Sequence, residues 1–181
     1  YNQFCNFEIA PALEMLAMAE KPIAVFAKSL APVRSEEGLT VIPEKSIKEL
    51  SLDEYDSLLL PGAMDIREAI EDDAILDFIR KFDGMPIGAI SIAPLLLFKA
   101  GLLEDKPFMA GVNPEDLFEE GYTADALSLM TGWDANLENP IQEGYIQAGN
   151  IVTSVSYHFV RWALAFGRMI GIDLPPKTFG L

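Results

Sequence analysis

The sequence has few of the residues that build disulfides and metal sites. Among its 181 residues there is one cysteine, Cys5, and one histidine, His158. One cysteine cannot form an intramolecular disulfide, and zinc sites normally draw thiolate and imidazole ligands in threes and fours. We therefore expect no metal and no cofactor, and the low cysteine content is typical of a cytoplasmic protein.

Positive charge and long apolar runs are also scarce. Thirteen Lys and Arg face 28 Asp and Glu, which gives a formal net charge of −15 at pH 7. Such a surface repels phosphate backbones and anionic lipids, so we expect neither nucleic acid nor a membrane as a partner. The most apolar stretch, residues 84–98, is short and holds two prolines. It does not have the pattern of a bilayer span, and no charged-then-apolar signal segment opens the chain.

The remaining composition is that of a globular protein. Half of the residues are hydrophobic, which suits one domain, residues 1–181, with a full core. Segments with strand patterns alternate with segments with helix patterns, and this alternation predicts an α/β sheet with helices on its faces. No internal repeat, low-complexity stretch or linker divides the chain, so we predict a single domain.

The pattern of apolar residues and turn formers predicts the elements one by one. In chain order they are a helix over 7–19 with Asn6 as its N-cap, a buried strand over 22–27, a hairpin over 32–43, a central strand over 56–60, a helix over 65–82, a central strand over 86–90, a helix over 94–101, a hairpin made of 141–146 and 150–154, and a closing helix over 157–170. Residues 108–139 give only weak signals.

A hydroxyl residue, Ser91, stands where the second central strand meets a helix. A nucleophile on such a sharp turn needs small residues two positions before and after it, and Ala89 and Ala93 meet that condition. Ser91 would then lie at a helix N-terminus, whose unpaired amides attract negative charge. The same pattern also fits a serine that only caps the helix, so a nucleophile and an N-cap are two open alternatives.

Four segments, taken in order, resemble the ThiJ/PfpI (DJ-one) superfamily. They are the N-terminal segment with Glu8, residues 55–62, residues 88–94 followed by 100–103, and residues 150–154. The resemblance implies a flavodoxin-like three-layer α/β sandwich with a mostly parallel central sheet, related to class I glutamine amidotransferases. It also implies a homodimer or higher oligomer, and a short first strand directly before Tyr1.

The resemblance also assigns a pocket. In that superfamily the residue at the strand-to-helix turn is a cysteine, with an acidic residue of the first helix close to its sulfur and the backbone amides of a Pro-Gly turn facing the same pocket. Ser91 matches the cysteine and Glu8 the acid, while Gly62 and Ala63 match the turn. We add the residue that follows Ser91, Ile92, to the predicted pocket. A cysteine in this position becomes a thiolate, whereas a serine must lose its proton to a base.

Glu8 and His158 are the candidate proton carriers. Glu8 lies between Phe7 and Ile9, and this apolar context together with the resemblance favours a pocket residue over a solvated acid. Superfamily histidines that pair with the cysteine follow it directly or lie on the loop after the next strand, and this chain has no histidine in either place. A Ser-His pair would therefore need His158, whose alternative is a capping or surface histidine.

Two classes of function follow, and the sequence leaves both open. A native serine at position 91 favours a pocket-bearing binding or interaction protein that is catalytically weakened or inactive. The alternative is a Ser-dependent hydrolase or lyase-like enzyme that acts on a carbonyl compound, with the amides of Gly62 and Ala63 around the oxyanion. If Ser91 replaces a cysteine by engineering, the resemblance implies a cysteine-type hydrolase, a glyoxalase- or deglycase-like enzyme, or a protease-like protein.

Overall fold

The computed structural model describes all 181 residues, Tyr1–Leu181. The helices are α1 (Asn6–Met18), α2 (Arg67–Ile70), α3 (Asp73–Arg80), α4 (Pro94–Lys99), α5 (Trp133–Glu138) and α6 (Phe159–Met169). The strands are β1 (Phe26–Ala27), β2 (Val33–Arg34), β3 (Thr40–Val41), β4 (Lys45–Ser46), β5 (Leu58–Leu60), β6 (Ile87–Ile90), β7 (Phe108–Met109), β8 (Met130–Thr131), β9 (Ile146–Ala148) and β10 (Ile151–Ser154). No helix has both the length and the apolar character needed to cross a membrane.

The largest sheet has four strands in the order β5-β6-β10-β9. Its inner strand β6 pairs in parallel with both neighbours, so that Ile87 lies opposite Leu58 on one side and Ile151 on the other. Only β9 runs antiparallel, as the second arm of a hairpin with β10. The predicted α/β class with a mostly parallel sheet is confirmed.

Side chains of β6 alternate between two apolar layers, as the pleat of a strand requires. Ile87 and Ala89 belong to a core of 26 buried residues that also includes residues of α2, α3 and α4. Ile90 belongs to the opposite core, which joins the sheet to α1 and α6. Gly88 faces the same way, and a Cβ there would lie 2.9 Å from a ring carbon of Phe166. Helices therefore cover both faces of the sheet, which confirms the three-layer prediction.

The predicted helix over residues 65–82 is wrong as one element, because it divides into α2 and α3. Asp72 has an extended backbone, with a ψ of 101°, and its side chain accepts a hydrogen bond from the Ala74 N–H. An aspartate that caps a new helix in this way ends the preceding one. The apolar periodicity of Ile70, Ile75 and Ile79 continues across the break, and so it does not reveal the division.

Two strand predictions near the N-terminus also need correction. The strand predicted over 22–27 is reduced to β1, and the apolar side chains of Ile23 and Val25 are 40% and 38% exposed. The strand predicted over 56–60 is present as β5, but it lies at the edge of the four-stranded sheet instead of its centre. Both differences have the same physical reason: β1 pairs only with β4. Because β1 does not pair with β5, β5 is the edge strand of its sheet.

A groove separates these two strands. We call it the N-terminal groove; β1 and β5 border it, residues of α1 and Tyr1 line it, and it encloses a cavity of about 590 Å³.

The remaining boundary corrections are small. Asn6 is the first residue of α1 and not its N-cap, β9 begins only at Ile146, and a 3₁₀ turn over Ser156–His158 precedes α6. The predicted hairpin over 32–43 is confirmed as β2 and β3.

Candidate functional site

Ser91 follows β6 directly and has a strained backbone. Its φ of +61° lies in the left-handed region, which is costly for a residue other than glycine. Its N–H donates to the Ser154 carbonyl at 2.8 Å, and its own carbonyl accepts from the Gly111 N–H at 2.7 Å. These two bonds fix Ser91 between β10 and the loop after β7. Because α4 begins only at Pro94 and no side chain caps it, capping does not account for Ser91.

Two glycines let other segments approach the Ser91 hydroxyl. A Cβ on Gly62 would lie 2.6 Å from Ser91 Cβ and 2.8 Å from Ser91 Oγ. A Cβ on Gly111 would lie 3.1 Å from the same oxygen. Any larger residue at either position would displace the serine side chain or the loop that carries the glycine. The Pro61–Gly62 turn after β5 and the loop after β7 therefore form two walls around Ser91.

Glu8 lies against the same face of Gly62. The side chain comes from the first turn of α1, the residue is 1% exposed, and its Oε2 accepts a hydrogen bond from the Gly62 N–H at 2.6 Å. Burial raises the pKa of Glu8 to about 7, although its contacts with Gly62 and Ser91 oppose that rise. Both the protonated and the ionised carboxyl are therefore populated near neutral pH. The structure thus brings together three predicted site residues, Glu8, Gly62 and Ser91.

Glu8 accepts a hydrogen bond from one of the two amides that were predicted to bind an oxyanion. Gly62 N–H holds the carboxyl and is not available to a ligand in this arrangement. By contrast, the N–H groups of Ala63 and Ile92 make no hydrogen bond within the chain. Ala63 adjoins the turn that contacts Ser91, and Ile92 follows Ser91 directly. These two amides, with the Ser91 hydroxyl, are the donors that the pocket can offer to an oxygen atom.

Cys5 is a neighbour that the sequence did not place in the site. It is 5% exposed, and its N–H donates to the Gly62 carbonyl at 2.9 Å. Burial, a hydrogen bond with Glu36 and the nearby Glu8 carboxyl all raise the pKa of the Cys5 thiol far above its ordinary value. A thiol held protonated in this way is a poor nucleophile. The spacing of three residues between Cys5 and Glu8 was the one available signal for their proximity.

His158 has no hydrogen bond with Ser91, Glu8 or Gly62, and it packs against other residues. Its ring packs on Tyr157 with centroids 4.6 Å apart, and a Cβ on Gly144 would lie 3.1 Å from its Nδ1. Its Nε2 is buried without a hydrogen-bond partner, and burial lowers the pKa of the imidazole. No hydrogen bond joins His158 to Ser91 or Glu8. A pair of Ser91 with His158, one of the two alternatives for this histidine, therefore has no hydrogen bond in this structure.

An aromatic pair stands close to the walls of the site. Trp133 donates its backbone N–H to the Val112 carbonyl, next to Gly111, and its ring packs edge-on against Tyr157 at 4.8 Å between centroids. Glu36 is the charged side chain that acts most strongly on the pKa of Glu8, and it raises that pKa. No group of histidine, cysteine and acidic side chains in the structure could hold a metal ion. The surroundings of Ser91 are thus acidic on the side of Glu8 and Glu36.

The same fold occurs in solved structures of other proteins. A DJ-1 superfamily protein from Agrobacterium tumefaciens matches with a TM-score of 0.78 and 19% identity, over 98% of this chain and 90% of that one. Toxoplasma gondii DJ-1 in an oxidized form matches with a TM-score of 0.74 and 20% identity, over 98% and 90% of the two chains. A two-domain protein from Anabaena variabilis, with DJ-1/ThiJ/PfpI-like and ferritin-like domains, has a TM-score of 0.77 and 15% identity, and this chain spans half of its length.

At such low identity these structures establish the fold alone. A comparison with curated proteins finds no match. The family model described as the DJ-1/PfpI family matches residues 1–166, which is most of the sequence and includes Glu8, the Pro61–Gly62 turn and Ser91. The chain belongs to the DJ-1/PfpI family.

Proposed function

We propose that this protein is a ligand-binding member of its family, whose pocket at Ser91 holds a small neutral carbonyl compound and has lost most or all of the catalytic activity that a cysteine would supply. The observation that carries the proposal is that the Ser91 hydroxyl and the Glu8 carboxyl, whose pKa is about 7, both lie against Gly62, while the N–H groups of the adjoining residues Ala63 and Ile92 have no partner in the chain.

These groups favour an oxygen acceptor. The two amides and the serine hydroxyl are donors, and Glu8 in its protonated form is a fourth. A carbonyl oxygen can accept two of these hydrogen bonds while the rest of the ligand packs against apolar walls. A carboxylate or phosphate ligand would face the ionised form of Glu8 and the acidic Glu36 that acts on it. We therefore expect the pocket to select neutral ligands.

Weak catalysis follows from the missing base. A serine hydroxyl becomes a strong nucleophile only when a well-oriented base takes its proton. Glu8, with a pKa of about 7, is partly protonated near neutral pH, and its Oε2 already accepts a hydrogen bond from the Gly62 N–H. His158 makes no hydrogen bond with Ser91. Neither group is arranged as the histidine of a Ser-His-Asp triad is.

A Ser-dependent hydrolase is the second candidate, and one contact favours it. The carboxyl of Glu8 and the hydroxyl of Ser91 lie against the same side of Gly62, so the ionised carboxylate could accept the serine proton. In that reaction the Ser91 oxygen attacks a carbonyl carbon, the serine proton passes to Glu8, and the Ala63 and Ile92 amides stabilise the oxyanion.

One set of measurements distinguishes the ligand-binding function from the hydrolase. NMR of ¹⁵N-labelled protein titrated with 2-butanone should shift the Ala63 and Ile92 amides, and the Ser91→Ala variant should show a weaker effect. Butanoate at pH 8, where Glu8 is mostly ionised, should shift neither amide. Equal binding of butanoate would contradict the proposed selectivity.

Reactivity of the serine gives the second half of that test. We expect no labelling of Ser91 by a fluorophosphonate and no hydrolysis of 4-nitrophenyl acetate above the level of the Ser91→Ala variant. Labelling at Ser91 together with turnover that disappears in Ser91→Ala would establish the hydrolase instead.

A further inference from the structure

Residues 1–5 run alongside residues 61–64, the turn that follows β5. Phe4 and Ala63 form an antiparallel bridge between the two segments, and backbone hydrogen bonds of 2.9 and 3.0 Å flank this bridge. Gln3 in the first segment has a φ of +59°, which is costly for a residue other than glycine. Such a conformation persists only where the surrounding structure holds it, so the two segments are firmly joined.

One side chain adds a further bond to this pairing. The Tyr1 hydroxyl donates to the Pro61 carbonyl, and no other donor in the chain reaches that carbonyl. Burial, together with the nearby Glu8 and Cys5, raises the pKa of the Tyr1 phenol well above its ordinary value. The hydroxyl therefore keeps its proton, and remains a donor, throughout the neutral range.

The Pro61 carbonyl belongs to the same peptide group as the Gly62 N–H. A trans peptide is planar, and its C=O and N–H point in opposite directions. Tyr1 therefore holds one side of this peptide, while Glu8 accepts a hydrogen bond from the other side at 2.6 Å. A hydrogen bond to the carbonyl also polarises the peptide and strengthens its N–H as a donor. One continuous chain of hydrogen bonds thus joins the Tyr1 hydroxyl to the Glu8 carboxyl.

The next peptide group is held by a backbone donor. Its carbonyl, that of Gly62, accepts from the Cys5 N–H, so its own N–H, that of Ala63, points away from Cys5. The Ala63 N–H is one of the two unpaired amides assigned above to a ligand. Rotation of the preceding peptide would therefore disturb both the N–H that Glu8 accepts from and the N–H that a ligand would use.

We propose that Tyr1 is a positioning residue of this site, which acts on the Glu8 carboxyl through the Pro61–Gly62 peptide. While that peptide is fixed, Glu8 lies against Ser91 and the Ala63 N–H keeps its direction. Tyr1 acts through other groups, because its hydroxyl is already committed to Pro61. Its effect on a ligand rests on the function proposed above, whereas its coupling to Glu8 does not.

The titration of Glu8 tests this coupling without any ligand. The pKa of Glu8 is measured by ¹³C NMR of its carboxyl carbon in the parent, in Tyr1→Phe and in Tyr55→Phe, and the spectrum of Glu8→Gln assigns the resonance. Phenylalanine keeps the ring and loses only the hydroxyl. Tyr55→Phe is the matched control, because the Tyr55 ring lies against Lys45, with 5.8 Å between the ring centre and Nζ.

Loss of the Tyr1 hydroxyl should raise the pKa of Glu8 by about 0.5 or more, because the hydrogen bond from Gly62 lowers that pKa and the variant weakens this bond. Exchange of the Gly62 amide hydrogen should also become faster. Neither change should occur in Tyr55→Phe. An unchanged pKa of Glu8 in Tyr1→Phe would overturn the proposal even if the variant is less stable, since a merely structural tyrosine would affect stability alone.

The parent supplies the test if Tyr1→Phe fails to fold. The ¹³Cζ resonance of Tyr1 should then shift with the same midpoint as the Glu8 carboxyl, and this shift should vanish in Glu8→Gln. A Tyr1 resonance that does not follow the Glu8 titration would overturn the coupling.

Titration with 2-butanone distinguishes this proposal from the function on which its ligand effect rests. The Ala63 amide of the parent should shift, and Tyr1→Phe should need an about threefold or greater concentration for the same shift. Equal binding by the two proteins would overturn the positioning of Ala63. A parent that does not respond to 2-butanone would contradict the ligand-binding function, and a raised pKa of Glu8 in Tyr1→Phe would still support the coupling.

Discussion

Replacement of Glu8 by glutamine should remove a specific dependence of stability on pH. Burial raises the pKa of Glu8 from 4.5 to about 7, so the folded protein binds this proton more tightly than the unfolded chain does. The resulting stabilisation is fully present below pH 4.5 and is lost as the pH rises through 7. A glutamine side chain cannot ionise, yet its oxygen can still accept the hydrogen bond from Gly62.

The size of the effect follows from the two pKa values. A rise from 4.5 to about 7 corresponds to about 3.5 kcal/mol in total, at about 1.4 kcal/mol for each pKa unit, and about 3 kcal/mol of it is lost between pH 4.5 and pH 8. The free energy of unfolding of the parent should therefore fall by about 3 kcal/mol between pH 4.5 and pH 8, relative to that of Glu8→Gln. His158 has a lowered pKa and titrates in the opposite direction in the same range, but it does so equally in both proteins and cancels from the comparison.

Urea unfolding at pH 4.5 and pH 8 measures this difference. Glu14→Gln is the matched control, because Glu14 lies on the same helix and is less buried than Glu8. The control should differ from the parent by the same amount at both pH values, within about 0.5 kcal/mol. A Glu8→Gln variant that behaves like this control would refute the buried, proton-binding carboxyl on which the site depends.

Three further predictions follow from the same geometry. Gly62→Ala should destabilise the protein by about 1 to 3 kcal/mol in urea unfolding, because its Cβ would lie 2.5 Å from Glu8 Oε2 and 2.6 Å from Ser91 Cβ; an unchanged midpoint would contradict the close approach. His158→Ala should leave any activity on small esters or aldehydes within about tenfold of the parent, since loss of a general base normally costs about a hundredfold or more, and a loss of that size with intact circular dichroism would restore the Ser-His pair. The protein should sediment as an oligomer at micromolar concentration, as the resemblance implies, and a monomer at equilibrium would contradict this.

Much of the fold could be predicted because buried faces require apolar residues at regular spacing in the sequence. The apolar residues of β6 and the small residues Ala89 and Ala93 around Ser91 indicate a buried strand that turns sharply into a helix. The apolar pattern does not identify which strands lie beside a given strand in the sheet. Leu58 and Leu60 are buried although β5 is an edge strand, because helices cover them from the face of the sheet. Periodicity therefore predicted the strand and misplaced it at the centre.

The site was predictable only through resemblance to a family. The hydrogen bond between Glu8 and Gly62 spans 54 residues, and neither residue has a local pattern that points to the other. For the same reason the sequence does not reveal that Glu8 and a ligand compete for the Gly62 N–H. A short polar side chain caused one further error. Asp72 caps α3 within a stretch whose apolar period predicts one continuous helix.

The thiol pKa of a Ser91→Cys variant tests most directly the claim that donors converge on this position. Cys5 is replaced by Ala in both the variant and the parent, so that the only thiol is at position 91 in the variant and none is present in the parent. The Ala63 and Ile92 amides and the protonated Glu8 carboxyl should stabilise the thiolate. We predict a thiol pKa below the free value of about 8.5, rapid alkylation by iodoacetamide at neutral pH, and oxidation to sulfinate by mild peroxide in mass spectra. A thiol that titrates near the free value of about 8.5 and resists peroxide would show that no donors converge at position 91, and would contradict the account.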